Sequence, residues 1–262
     1  MSVLRRGLLL SSTLLAGCVS SNFNLATQQQ DYTITSTSQE VELGRKIARQ
    51  VDNEVTVLAD ETVQQRVRTI GARIAAVCDR QELLYRFTVL DDDEVNAFSL
   101  PGGHVYVNVG LIEHTASDDE LAGVIAHEVA HIAARHAVKR YEGGLGAQLA
   151  QLAAVVSEQR VAAHGLGIAT QSARLAYARQ DELEADRLAV RYLKAAGFDA
   201  TAMLAFLDTL RGLPSDRKTY LPRGITRPQY ASTHPFIPDR RRAVKEALFD
   251  VADYLDYLNT SD

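Results

Sequence analysis

The stretch from Ser117 to Arg140 reads as one helix, with His127-Glu128-Val129-Ala130-His131 in its middle. Ser117-Asp-Asp-Glu120 is a capping-box pattern that opens it. Residues four apart lie about 40° apart around a helix axis, so both imidazoles can face one ion. Glu128, one position on, can reach a water beside that ion. With seven histidines in 262 residues, chance produces this spacing about 1% of the time at ordinary composition. Such a helix cannot stand alone. An ion held by two imidazoles needs another ligand, so the fold must press a second segment against this one.

Two places can be tested for that ligand. A third histidine six residues beyond His131 is absent, because position 137 is Ala137. Glu182-Leu-Glu-Ala-Asp186 falls instead in a helix expected from about Ser172 to Ala196 and stopped by Gly197. On a helical wheel Glu182 and Asp186 share a face with Leu175, Ala178, Ala185, Ala189 and Leu193, while Glu184, Arg187 and Arg191 lie opposite. Helical carboxylates normally face solvent. Two on an apolar stripe need partners, since an unpaired buried charge is costly. A zinc ion and a ligating imidazole supply them, which makes Glu182 the expected third ligand and Asp186 the acceptor of one imidazole N–H.

The rest of the chain predicts an α+β fold, mainly helical with a small β-sheet, in one domain over residues 40–262. Thr37-Ser-Gln-Glu40 is a capping-box pattern opening a helix to about Val55, and a second helix runs from about Asp60 to Cys78. Tyr85 to Leu90 and Val105 to Val109 read as strands, separated by a polar segment and the turn Pro101-Gly102-Gly103. Residues 143–170 are rich in Gly and Ala, and are expected to form a mobile helix-loop segment. Further helices are expected from Asp199 to Arg211 and from Asp239 to about Leu258. Five of the six prolines fall between Pro214 and Pro238, where no regular structure is expected. A net charge of −5 gives no footprint for nucleic acid.

The first residues differ from the remainder. Arg5 and Arg6 precede an apolar run from Gly7 to Ala16 that is too short to span a bilayer, as in a signal peptide over residues 1–17. Leu15-Ala16-Gly17-Cys18 resembles the bacterial lipobox, which makes Cys18 the expected lipidation site and mature N-terminus. Val19 follows where retention in the inner membrane usually uses Asp, so the resemblance implies the periplasmic face of the outer membrane. Residues 18–39, rich in Ser, Thr, Asn and Gln, read as a flexible tether.

The His-Glu-x-x-His helix followed by Glu182 and Asp186 resembles the gluzincin metallopeptidases. Within them the chain is similar to the family of HtpX and the CAAX prenyl endopeptidases, most of all to its short periplasmic lipoprotein members such as BepA and LoiP. The supporting motifs are Asn96 to Val107, His127 to His136, Glu182 to Asp186, and Thr233-His234-Pro235 with Arg240 beyond. The resemblance implies a zincin-type domain with one zinc ion per chain on His127, His131 and Glu182, leaving one position open for water. It implies Glu128 as general base, and His234 and Arg240 as donors to the oxyanion, with His234 also able to plug the open position. Asn96 is implied to contact the substrate backbone, and the strand from Val105 to Val109 to be the edge along which a peptide pairs. His104, His114, His136 and His164 are expected to be surface or supporting residues, and Cys78 an inert thiol. The implied activity is zinc-dependent hydrolysis of misfolded or stalled envelope proteins. The alternative is a chaperone-like lipoprotein that binds unfolded outer-membrane proteins with its zinc site plugged.

Overall fold

The computed structural model describes residues 20–143, 179–212, 234 and 237–249. The expected signal peptide, Cys18, the Gly/Ala-rich segment beyond residue 143 and most of the proline-rich stretch lie outside the described residues. Twelve elements follow in order: β1 (Ser20–Asn24), β2 (Gln29–Thr33), α1 (Thr37–Glu54), α2 (Glu61–Ala75), β3 (Arg86–Leu90), β4 (Ala97–Leu100), β5 (His104–Asn108), α3 (Val109–Glu113), α4 (Asp118–Ala133), α5 (Arg179–Ala196), α6 (Ala202–Gly212) and α7 (Ile237–Leu248). The result is the expected α+β architecture, mainly helical with a small sheet.

Helix α4 is the centre of the molecule. Every residue from Glu120 to Ala133 is buried, and α2, α5, α6 and the sheet all pack on it. Gly123 lies against Met203 of α6, where an added Cβ would make an ordinary contact at 3.5 Å. Ser117 Oγ accepts the Glu120 N–H at 3.2 Å, whereas the Glu120 carboxylate reaches back to the Ala116 N–H at 2.9 Å, one residue upstream of the expected capping box.

The helix expected to run to Arg140 breaks at Ala134 and Arg135. Arg135 takes φ of +60°, and helical turns resume over 136–143. A non-glycine residue in the left-handed region costs of order 1–3 kcal/mol and persists only where its surroundings hold it. Here the Arg135 guanidinium donates to Glu40 at 3.0 Å, to Thr33 Oγ1 at 2.8 Å and to the Thr35 carbonyl at 2.6 Å. Both Glu40 oxygens also accept from Arg80 Nη1, at 2.8 and 3.0 Å. This buried carboxylate explains a second difference. The α1 capping box forms one residue early, on Ser36 with Gln39, which leaves Glu40 free to turn inward.

Residues 18–39, expected as a flexible tether, instead contain the antiparallel hairpin β1–β2. Asn24 ties it to α4 by donating to the Ala133 carbonyl at 3.4 Å, while its Oδ1 accepts the Ala26 N–H at 2.9 Å. The Ser/Thr/Asn composition that suggests a linker also supplies the side-chain bonds that close turns.

The sheet has the order β3-β5-β4, with β3 parallel and β4 antiparallel to β5. The strand expected at the edge, Val105 to Val109, is therefore the central one. The polar segment before it contributes the missing strand β4, whose outer edge pairs with no other strand among the described residues. Gly102 and Gly103 make the β4–β5 turn with φ of 76° and 105°, as only glycine does readily. On the other side, the Gln64 amide of α2 brackets β3, bonding the Val89 carbonyl at 2.9 Å and N–H at 3.0 Å.

Replacing Glu40 by Ala removes the acceptor shared by two buried guanidinium groups, a loss worth about 3–5 kcal/mol. Urea unfolding should show a marked drop in midpoint. Glu42→Ala, in the exposed pair with Arg45, should shift stability by less than about 1 kcal/mol. Equally small effects from both changes would contradict this account of the α4 terminus.

Candidate metal centre

Helix α4 turns the His127 and His131 Nε2 atoms to within 3.0 Å of each other. Helix α5 brings Glu182 beside them, at 3.4 Å from His127 Nε2 and 3.5 Å from His131 Nε2. His234 completes the group, its Nδ1 lying 3.3 Å from His127 Nε2 and 3.2 Å from Glu182. All four side chains are buried. An ion with bonds of 2.0–2.1 Å has tetrahedral edges of about 3.3 Å, and these separations match. The four side chains each place a donor atom within 4.8 Å of the others, with His234 as the fourth member of the group.

Charge supports the same fit. Glu128, Glu182 and Asp186 are buried with Arg240; with the histidines neutral, as metal ligands are, two formal negative charges remain, the number that a divalent cation cancels. Burial and Arg240 push the His127 imidazole down, but Asp186 and Glu182 outweigh them and raise it to about 9. Burial and the imidazoles of His127, His136 and His234 hold His131 well below its ordinary value. Burial works to raise Glu182, yet His234 and His127 keep it well below the usual carboxylate range. Asp186 is likewise lowered against the effect of burial, by Arg240 and His127.

Behind the donors lies a supporting layer. Asp186 Oδ1 stands 2.9 Å from His127 Nδ1. Arg240 holds both Asp186 oxygens, at 2.9 Å through Nε and 2.8 Å through Nη2, and donates to the His234 carbonyl at 3.3 Å. Its neighbour Arg241 faces outward to Asp208. The guanidinium expected to face an oxyanion holds Asp186 and the His234 backbone and also borders the donor cluster, with Nη1 3.5 Å from Glu182 Oε2.

The other expected residues divide. Glu128 lies against the cluster, 3.4 Å from His234 Nε2, and neither of its oxygens takes a hydrogen bond. Asn96 stands ahead of β4, outside the four-residue cluster, with Oδ1 buried and without a hydrogen bond. His114 bonds the Gly110 carbonyl at 2.7 Å, Cys78 is a buried free thiol, and His164 is outside the described residues. His136 is the residue that sequence reasoning undervalued: it is buried, with its Nδ1 2.7 Å from His131 Nδ1. On an unbroken helix residues five apart lie about 140° apart, so no periodicity could have found it.

The model of peptidase family M48 matches residues 61–248, a span containing every donor of the cluster. The chain belongs to peptidase family M48. A beta-barrel assembly-enhancing protease of Escherichia coli is 29% identical over 219 residues, 79% of this chain and 43% of that protein. A Vibrio cholerae protein whose name carries the same words, as a provisional assignment, is 32% identical over 234 residues, 84% and 47% respectively. The mitochondrial metalloendopeptidase OMA1 of Arabidopsis thaliana is 32% identical over 197 residues, 74% and 38%. The chain therefore spans less than half the length of these relatives.

For this M48 chain, Asp186→Ala removes the acceptor of His127 Nδ1 and the anchor of Arg240. Such a loss typically weakens metal binding about 10–100-fold. Zinc titration in competition with a chromophoric chelator should show it. Undiminished affinity would mean that Asp186 serves only packing.

Proposed function

We propose that the chain is a zinc-dependent endopeptidase, holding one zinc ion on His127, His131 and Glu182, with Glu128 as general base. The observation that carries this reading is Glu128: a fully buried carboxylate without hydrogen bonds, set beside a compact cluster of four metal-binding side chains. Leaving such a group unsatisfied is costly, and a module that only binds has no use for it. Zinc here supplies Lewis-acid chemistry, lowering the pKa of water to roughly 7 and polarising a carbonyl. Glu128 takes a proton from the attacking water and delivers it to the leaving amine. Asp186 holds the His127 ring by its Nδ1–H, and Arg240 positions that carboxylate. His234 donates to the oxyanion with Arg240, whose Nη1 borders the cluster, beside it, and Asn96 contacts the substrate backbone.

The substrates we propose are misfolded or stalled envelope proteins, met by a chain held through lipid on Cys18 at the periplasmic face of the outer membrane. Support comes from the lipobox-like sequence before Cys18 and from the name of the Escherichia coli relative. No helix among the described residues is long and apolar enough to cross a membrane. One observation favours a second reading, a chaperone-like lipoprotein: His234 Nδ1 stands as the fourth member of the donor set.

Cleavage of unfolded casein by purified protein separates the two. Glu128→Gln should retain zinc and lose about 10²–10⁴-fold in rate. His234→Ala, which removes an oxyanion donor, should cut more slowly than wild type; faster cutting would favour the plugged reading. If wild type and Glu128→Gln behave identically with zinc bound, the peptidase reading fails. Full zinc content after Glu182→Ala would overturn the ligand set.

A further inference from the structure

We propose that His136 is the positioning residue for His131, accepting its Nδ1–H and relaying the hydrogen bond to Glu184. A neutral imidazole that offers Nε2 to an ion carries its proton on Nδ1. His131 Nε2 is the atom in the donor cluster, 3.0 Å from His127 Nε2 and 3.5 Å from Glu182. Its Nδ1–H therefore needs an acceptor, and His136 Nδ1 stands 2.7 Å away. That nitrogen accepts only when the His136 proton sits on Nε2. There Glu184 Oε2 lies at 3.0 Å, with Asp181 Oδ1 further off at 3.9 Å. One assignment of protons satisfies the whole chain, from the Glu184 carboxylate through both rings to the donor cluster.

The two ligating imidazoles are thus held differently. His127 Nδ1 meets the Asp186 carboxylate directly at 2.9 Å. His131 reaches its carboxylate through a second ring, set 4.8 Å away at 69°. The break at Arg135 makes this contact possible. Had α4 continued, His136 would lie about 140° around the axis from His131. The φ of +60° at Arg135 interrupts α4, and the next residue, His136, is buried against His131. Glu184, placed by the helical wheel on the face opposite Glu182, is the residue of α5 that reaches it.

The inference rests on the proposed zinc site, and the test separates the two. Metal-stripped full-length chain is titrated with zinc against a chromophoric chelator, and its cobalt(II) spectrum is recorded. His136→Leu keeps the bulk and removes the acceptor, and should weaken zinc binding about 10–100-fold and alter the cobalt absorption. His136→Asn places an oxygen near the lost Nδ1 and should recover most of the affinity. Glu184→Ala, at a partly exposed side chain, carries little risk to folding and should weaken binding by a smaller factor, with Glu184→Gln milder still. In peptide cleavage at saturating zinc, kcat should fall in His136→Leu with KM little changed. If wild type binds zinc but His136→Leu binds as tightly, or Asn restores no more than Leu, the inference is overturned while the zinc site stands. If Glu184→Ala leaves affinity unchanged, the relay to Glu184 is overturned. If wild type takes up no zinc, the proposed site falls and the inference with it.

Discussion

Helix α4 is buried on nearly every side while carrying two imidazoles and a carboxylate in its middle. Water cannot satisfy those groups, so each neighbouring element must bring a partner. Helix α5 answers with Glu182 and Asp186, α7 with Arg240, and the segment before α7 with His234. The apolar packing holds these helices together, and the buried polar groups set where along one another they come to rest. A slide of one turn, about 5.4 Å, would part every donor from its neighbour.

A second buried charge cluster works at the end of the same helix. Glu40, Arg80 and Arg135 contribute no donor to the metal centre, yet they hold the left-handed residue at which α4 stops. The position of His136 depends on that stop. The two clusters are therefore parts of one arrangement, in which residues near the start of the chain fix the direction of a ring at the centre. Breaking a buried ion network costs far more than losing an exposed pair, so this end of α4 is firmly set.

Much of the site was legible because it follows periodicity. His127 and His131 share a face through their spacing, and Glu182 and Asp186 stood out as charges on an apolar stripe. What escaped was what periodicity does not encode. Arg135 carries no local signal for a left-handed turn, because the groups that hold it lie about a hundred residues earlier or on another helix. Strand β4 is only four residues long and follows the acidic run Asp91 to Glu94, so it reads as connection, and without it β5 looks like an edge. The α1 cap moved by one residue because Glu40 is needed inside, a demand visible only once Arg80 and Arg135 converge on it. Arg240 stood out only through the resemblance, and its bond to Asp186, which gives that buried carboxylate its counter-charge, carries no local signal in the sequence.

The hairpin β1–β2 bears on how close the protein would stand to a membrane. A flexible tether over residues 18–39 would let the domain wander by about 25 Å, from the usual scaling for flexible chains. With β1 beginning at Ser20 and Asn24 fastened to α4, a lipid on Cys18 would be followed by a single residue before the folded body begins. One residue spans about 3.5 Å. The domain would then ride on the bilayer surface with a restricted set of orientations, able to reach polypeptides emerging from the membrane but not those drifting beyond its own diameter.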